Sequence, residues 1–362
     1  MDTSVILVAG LGEHTVAEEV RRALPGAVLV RHDLARLAEG VVRRHVDGVL
    51  TELHLEHGCV SCTMRLDLLP LLRQLPGPVV LHLDPALEPE AVCHALADEP
   101  VRVEAVITVV DRATWLADAT GDETLADRGL GAAPGDNRTV AQLVVGQAEF
   151  ADALVLTGPV GDERVPAVLD RLNPIAVRQE LAHLDVPALV AAIPASARRG
   201  EVDDTFSPLL RGEPPFEPAH GVHLVHFTAR RAFHPARLHR VLTALSRGIV
   251  RIRGRVWSAG RHDTVVWLEA AGRAVRVGEA GPWLATADDW SEVDEDYRAA
   301  ATAAWDPDTG DRAQELVVIA YRSSGRNIAS ALREALLTDE ELALSAELDF
   351  ADPFPGAHGK LV

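Results

Sequence analysis

The chain has 362 residues, 48% of them hydrophobic, with 35 lysines and arginines against 54 aspartates and glutamates, a net charge of −19. This apolar content supports well-formed cores in about two domains and excludes disordered and fibrous classes. The acidic total argues against nucleic-acid binding over the whole surface and against sequence-specific DNA recognition.

No apolar run reaches the roughly 18–20 residues that a membrane span needs. Met1-Asp2-Thr3-Ser4 lacks a basic lead-in, so a secretory signal is not expected. Three cysteines are too few for a disulfide framework, which points to reducing, cytoplasmic surroundings. The sole lysine is Lys360, so chemistry that needs a lysine inside a folded site has none to use.

In chain order, Val5-Ile6-Leu7-Val8-Ala9 reads as a buried strand, Gly10-Leu11-Gly12 as a tight turn and Thr15 to Leu24 as a helix. The buried-strand pattern recurs at Val79–Leu83, Val106–Asp111, Ala153–Thr157 and Val186–Val190, with helical patterns at Thr63–Gln74 and Thr139–Phe150. Alternation of apolar strands with helices predicts an α/β domain over 1–195, a mostly parallel sheet with helices on both faces. Residues 196–218, rich in Pro, Gly, Ser and charge, read as a linker. A smaller α+β domain is expected over 219–350. Its strands begin at Val222, Ile249, Thr264, Ala274 and Glu315, its helices run over Pro235–Leu245 and Asn327–Leu337, and the acidic stretch 288–311 reads as a solvated loop or insertion. The tail 351–362 is expected to be loose.

Three groups of residues carry candidate chemistry. The first is the turn Gly10-Leu11-Gly12-Glu13-His14-Thr15. A phosphate loop uses glycines for close backbone approach, Lys for the β/γ-phosphates and Ser/Thr for Mg²⁺. Gly10, Gly12, His14 and Thr15 could serve there, but Glu13 faces the approaching phosphate and no lysine is present, so an ordinary strand-to-helix turn competes with residual nucleotide binding. The second is His54-Leu55-Glu56-His57-Gly58-Cys59-Val60-Ser61-Cys62. Two cysteines at this spacing can direct both sulfurs at one cation, with His54, His57 or Glu56 completing a tetrahedron around Zn²⁺. A packed cysteine pair and a redox dithiol remain open beside the metal site. His82 ends a strand where α/β sheets place ligands, though a lone histidine there is more often packed; Cys93 reads as core. The third group is electrostatic: residues 219–278 hold eleven arginines and two acids, a local excess of nine. Arg251, Arg253 and Arg255 alternate along one strand and share a face. They could dock on phosphate backbone, or form a charged solvated sheet face meeting the acidic 288–311 segment.

Taken together these segments resemble the CobW-type P-loop GTPase and metallochaperone family over nearly the whole chain. Glu56-His57-Gly58-Cys59-Val60-Ser61-Cys62 is similar to the family's Gly-Cys-x-Cys-Cys metal motif with Ser61 in place of the middle cysteine, and His54 stands where a metal-binding Glu is usual. Further matches are His82–Pro89, Asp111, Gln147–Asp152, Asn173-Pro174, Gly248–Trp257, Gln314–Val317 and Leu336–Glu341. The resemblance implies a P-loop-type α/β domain followed by a CobW-C-like domain. Departures fall on nucleotide chemistry: the phosphate loop lacks its lysine, and the guanine-reading Asn-Lys-x-Asp becomes Thr157-Gly158-Pro159-Val160. GTP turnover by the family mechanism is therefore not expected. The pattern is most similar to an actinobacterial branch that includes GTPases recruiting a ribosome hibernation factor under zinc limitation. On that resemblance the expected function is a zinc-responsive adaptor with the ribosome and a hibernation factor as partners. A zinc metallochaperone and a GTPase with a rebuilt phosphate site are the alternatives.

Overall fold

β1 (Thr3–Gly10) is buried over its last six residues, and successive side chains feed opposite faces of the sheet. Val5, Leu7 and Ala9 pack with helices at Leu69–Leu72 and Pro89–Leu96. Ile6 and Val8 pack with those at Val16–Ala23 and Val186–Ala192. A strand apolar on both faces has to lie inside a sheet covered on both sides, and truncating one of its fully buried side chains, such as Leu7, costs about 2–5 kcal/mol. The computed structural model describes residues 3–11, 15–56, 58–75, 77–131, 136–204, 206–245, 248–291, 293–344 and 350–354, and the chain divides into units Met1–Val202 and Asp203–Val362.

The other strands of the first unit are β2 (Val28–Asp33), β3 (Val41–Val46), β4 (Val49–His54), β5 (Val79–His82), β6 (Val101–Asp111), β7 (Ala153–Thr157) and β8 (Val177–Glu180). The eight-stranded sheet runs in the order β4-β3-β2-β5-β1-β6-β7-β8. β4 runs with the other strands and only β3 is reversed, so β3 and β4 are antiparallel neighbours. They form a hairpin through Asp47 and Gly48, whose φ values of 47° and 83° suit a two-residue turn of matching twist. The helix Val140–Phe150 is started by a reciprocal cap, Gln142 N–H to Thr139 Oγ1 (3.2 Å) and Thr139 N–H to Gln142 Oε1 (2.9 Å).

Two expectations for this unit are corrected. Val186–Val190 is helical, not a strand: Asp185 caps it by accepting the Ala188 N–H at 3.0 Å, and Pro187 sits in the first turn, where its missing N–H costs nothing. Residues 196–202 are docked rather than a free linker. The Arg199 N–H donates to Asp152 Oδ1 (2.9 Å), Arg198 lies over the Phe150 ring, and Val202 packs against the core.

The second unit is a five-stranded antiparallel sheet of β9 (Val222–Ala229), β10 (Ile249–Ser258), β11 (Arg261–Ala271), β12 (Ala274–Pro282) and β13 (Gln314–Tyr321), ordered β12-β11-β10-β13-β9. Helices Pro235–Leu245 and Gly325–Glu334 contribute Leu238, Leu242, Ile328 and Leu332 to a core with Phe227, Ile252, Leu268 and Leu316. Of the two readings of 288–311, a solvated loop or an insertion, the structure favours the insertion. It contains the helix Glu295–Ala303, whose Tyr297 and Ala301 are buried with Leu284, and Tyr297 donates its hydroxyl to Asp311 Oδ2 at 3.0 Å. The start of the tail is likewise docked: Phe350 and Phe354 pack on the unit and Asp352 pairs with Arg261. Among the described residues no helix is long and apolar enough to cross a membrane.

Candidate functional site

The cysteine loop is held by backbone contacts that exclude side chains. The Leu55 N–H donates to the Gly40 carbonyl at 2.8 Å, and a Cβ on Gly58 would lie 1.8 Å from the Leu37 carbonyl oxygen. Only glycine permits so close an approach. Cys59 follows in extended conformation as the cap of the helix Val60–Thr63, its carbonyl accepting the Thr63 N–H at 3.1 Å and its Sγ accepting the Cys62 N–H at 3.1 Å. The Cα atoms of Cys59 and Cys62 are 5.3 Å apart and their sulfurs meet as a disulfide; both residues are half-buried. Reduced, the same backbone presents two sulfurs to one point, and the Cys62 N–H beside Cys59 Sγ stabilises negative charge there.

The helix passes through one π turn, Met64–Leu68, before Leu69–Leu72. Asp67 in that turn is buried and lies 2.7 Å from His32 Nε2, while Arg44 pairs with its other oxygen. One carboxylate thus fastens β2 and β3 to the helix that carries the cysteines. Sequence reasoning missed this trio because His32 and Arg44 lie in strands that it did not recognise. Next to it, Asp84 accepts the Leu34 N–H (2.8 Å) and the Ala86 N–H (2.9 Å); burial nevertheless pushes its carboxyl above the ordinary range. His32, Thr63, Met64, His82 and Asp84 line a narrow, mostly apolar cleft beside the cysteine helix.

Of the metal-ligand candidates, the structure brings Cys59 and Cys62 together. His54 ends the edge strand β4, opposite Val41, and is exposed, as is Glu56 beyond it. Among the described residues no group of three His, Cys, Asp or Glu is arranged to hold a metal ion. His57 lies outside the described residues, as do Gly12 and His14 of the phosphate-loop candidates. Gly10 ends β1 with φ 152°, and Thr15 is exposed immediately before Val16–Ala23, with no side-chain cap bond. The cleft at this end of β1 and β6 is lined by Leu11, Thr108, Asp111, Thr114, Asp118 and Gln147, among others, and no cation lines it among the described residues. Asp111 Oδ1 accepts the Ala113 N–H at 3.0 Å, and a Cβ on Gly158 would sit 2.6 Å from that oxygen. The described lining of this cleft is thus acidic, with Asp111 and Asp118 as its charged side chains.

Arg251, Arg253 and Arg255 do share a face of β10, but their charges are engaged within the sheet. Arg251 pairs with Glu269, Arg255 pairs with Glu315, and Arg253 lies 5.3 Å from the Trp267 ring centre. The Arg251 and Arg255 side chains are only 12% and 15% exposed. Burial alone would raise the Glu269 carboxyl, yet the guanidiniums of Arg251 and Arg253 hold it below the ordinary value.

Residues 222–336 match the Cobalamin synthesis protein cobW C-terminal domain. Over 99% of its length and 94% of the relative's, the chain is 42% identical to a protein named Zinc chaperone Rv0106 from Mycobacterium tuberculosis. It is 26% identical, over 82% of its length and 68% of the relative's, to Zinc-regulated GTPase metalloprotein activator 1 of Dictyostelium discoideum. The crystal structure of Zn(II)-bound YjiA GTPase from E. coli aligns with 93% of this chain and all of that one, at 13% identity and a TM-score of 0.39. The chain belongs to the CobW-type P-loop GTPase and zinc metallochaperone family.

Proposed function

We propose that this chain is a cytoplasmic zinc metallochaperone whose cargo Zn²⁺ is taken by the reduced sulfurs of Cys59 and Cys62 and passed to a client apoprotein. The observation that carries this reading is the meeting of the two sulfurs on a helix cap whose approach is locked by Gly58. Thiolates are strong zinc ligands, and a site supplying two of them leaves coordination positions for a client's own ligands. Stepwise ligand exchange then moves the metal without its passing free through water. The 42% identity to a protein named a zinc chaperone supports the same reading.

The phosphate end of the sheet does not call for GTP turnover in this cycle. The only lysine is at position 360, and among the described residues the cleft offers a triphosphate carboxylates and no cation. Saturation of the protein by micromolar fluorescent GTP analogue and Mg²⁺ would instead favour a phosphate site rebuilt around Thr15 and His14.

The reading is tested by transfer. Reduced, zinc-loaded protein is mixed with an apo zinc enzyme from the same cell, under a chelator that scavenges free metal. Wild type restores activity and Cys59→Ser/Cys62→Ser does not; equal restoration by both rejects the proposal. The adaptor reading, with the ribosome and a hibernation factor as partners, rests on the family branch and on the arginine row. Pairing of that row with Glu269 and Glu315 leaves less charge for RNA. Co-sedimentation of wild type with ribosomes, lost when Arg251, Arg253 and Arg255 are replaced by Glu, would favour it.

A further inference from the structure

Cys59 and Cys62 are placed to react with each other as well as with a metal. Their Cα atoms lie 5.3 Å apart, inside the roughly 4.4–6.8 Å range that a disulfide spans, and the two sulfurs are joined. Only Val60 and Ser61 separate them, so opening or closing the bond need move no distant part of the chain. The loop is held by contacts that involve neither sulfur. The Leu55 N–H sits on the Gly40 carbonyl (2.8 Å), Gly58 lies against Leu37, and the Thr63 N–H sits on the Cys59 carbonyl (3.1 Å). One backbone therefore suits both redox states, and what changes between them is the charge on the pair.

Access separates this pair from the third cysteine. Cys59 and Cys62 are half-buried and Ser61 between them is exposed, whereas Cys93 is a free thiol and 2% exposed. In the reducing compartment proposed for the chain, a disulfide within reach of solvent is labile and redox-sensing rather than a structural staple. The two fates of the pair exclude each other, because zinc takes thiolates and a disulfide sulfur has no negative charge to give.

We infer that the Cys59–Cys62 pair is a redox gate on the zinc site, with a low-molecular-weight disulfide as its oxidant; this rests on the zinc reading above and adds its regulation. One thiolate attacks a sulfur of the small disulfide, forming a mixed disulfide and releasing one small thiolate. The second thiolate attacks the protein sulfur of that mixed disulfide, closing Cys59–Cys62 and releasing the other small thiolate. Two electrons pass from the pair to the oxidant, no proton is consumed, and Zn²⁺ leaves with its charge unchanged. A small thiol reductant runs the same exchange backwards and reopens the site.

The test is a redox titration of the full chain in glutathione buffers, without zinc and with free zinc held at about 100 times its dissociation constant. Alkylation and mass spectrometry count the free thiols. Because zinc binds only the dithiol, it moves the glutathione ratio at half-oxidation about 100-fold toward oxidising conditions. Oxidised wild type loses its zinc to background, carries the Cys59–Cys62 bond with Cys93 still a thiol, and regains zinc on reduction. Equal midpoints with and without zinc overturn the proposal, as does zinc retained by the fully oxidised chain. So does loss of a cooperative thermal melt on reduction, which would make the bond a structural staple. Reduced protein that takes no zinc at all fails the chaperone reading and the gate together. Zinc that the reduced chain binds and oxidation does not release fails the gate alone.

Discussion

The backbone N–H of Cys62 donates to Sγ of Cys59 across 3.1 Å, so the second cysteine helps to stabilise the sulfur of the first. That geometry depends on Gly58, because any Cβ there would strike the Leu37 carbonyl. Gly58→Ala must move the loop, whereas the buried sheet lies elsewhere. We expect the variant to lose about ten-fold or more in zinc affinity, roughly 1.4 kcal/mol, while its thermal melt stays cooperative. Competition with a chromophoric chelator measures the first and circular dichroism the second.

The third cysteine should behave differently. Cys93 is 2% exposed in the core of the first unit, and burial pushes its thiol up to about 12. The thiolate is the reactive form, so Cys93 is protected by both access and charge. After reduction, maleimide should label Cys59 and Cys62 in the native protein and Cys93 only in denaturant, as peptide mass spectrometry will read. Rapid native labelling of Cys93 would contradict the packing.

Asp152 holds two segments of the first unit together. Its oxygens accept the Val106 N–H at 2.8 Å and the Arg199 N–H at 2.9 Å from a side chain that is almost completely buried. Asp152→Ala strands both donors, and unfolding in urea should show a loss of about 2–4 kcal/mol. Asp152→Asn keeps one acceptor and should lose roughly half as much.

A pH dependence follows from the pair Arg237–Glu341. The hydrogen-bonded Arg237 guanidinium, together with the Thr338 N–H, holds the Glu341 carboxyl down at about 2. In the unfolded chain a glutamate titrates near 4.3. The unfolded state therefore takes the proton first as pH falls, and the pair's contribution, complete above about pH 4.3, is lost toward pH 2. Because the pair is partly solvated, Glu341→Gln should cost only about 0.5–1 kcal/mol at pH 7. That difference should close as pH falls from 4 to 2, measured by urea unfolding of both proteins at several pH values.

The layout of both units was readable because it is written in runs such as Val5–Ala9 and in alternation such as Val222–Phe227. Where reading failed, the deciding contact came from elsewhere. Five apolar residues at Val186–Val190 suit a strand or a helix equally, and Asp185 with Pro187 decided for the helix. The polar strands Val28–Asp33 and Val41–Val46 lack a buried signature of their own, and they carry His32 and Arg44, whose meeting at Asp67 is visible only in three dimensions. The acidic 288–311 stretch hides a small core because Tyr297 finds Asp311 and Leu284 across the chain. The arginine row was legible, but the carboxylate of Glu315 that pairs with it lies 60 positions beyond Arg255. At the candidate metal site, the spacing of the two cysteines indicated the meeting of their sulfurs. The Gly58–Leu37 approach that fixes their loop was not foreseeable, since it depends on a neighbouring turn.

The most direct test of the account is zinc content after equilibrium dialysis of the reduced protein against a buffered zinc solution. The account predicts about one zinc per wild-type chain and none above background in Cys59→Ser/Cys62→Ser, the usual dependence of a thiolate site on its sulfurs. Equal zinc in the two proteins would contradict it.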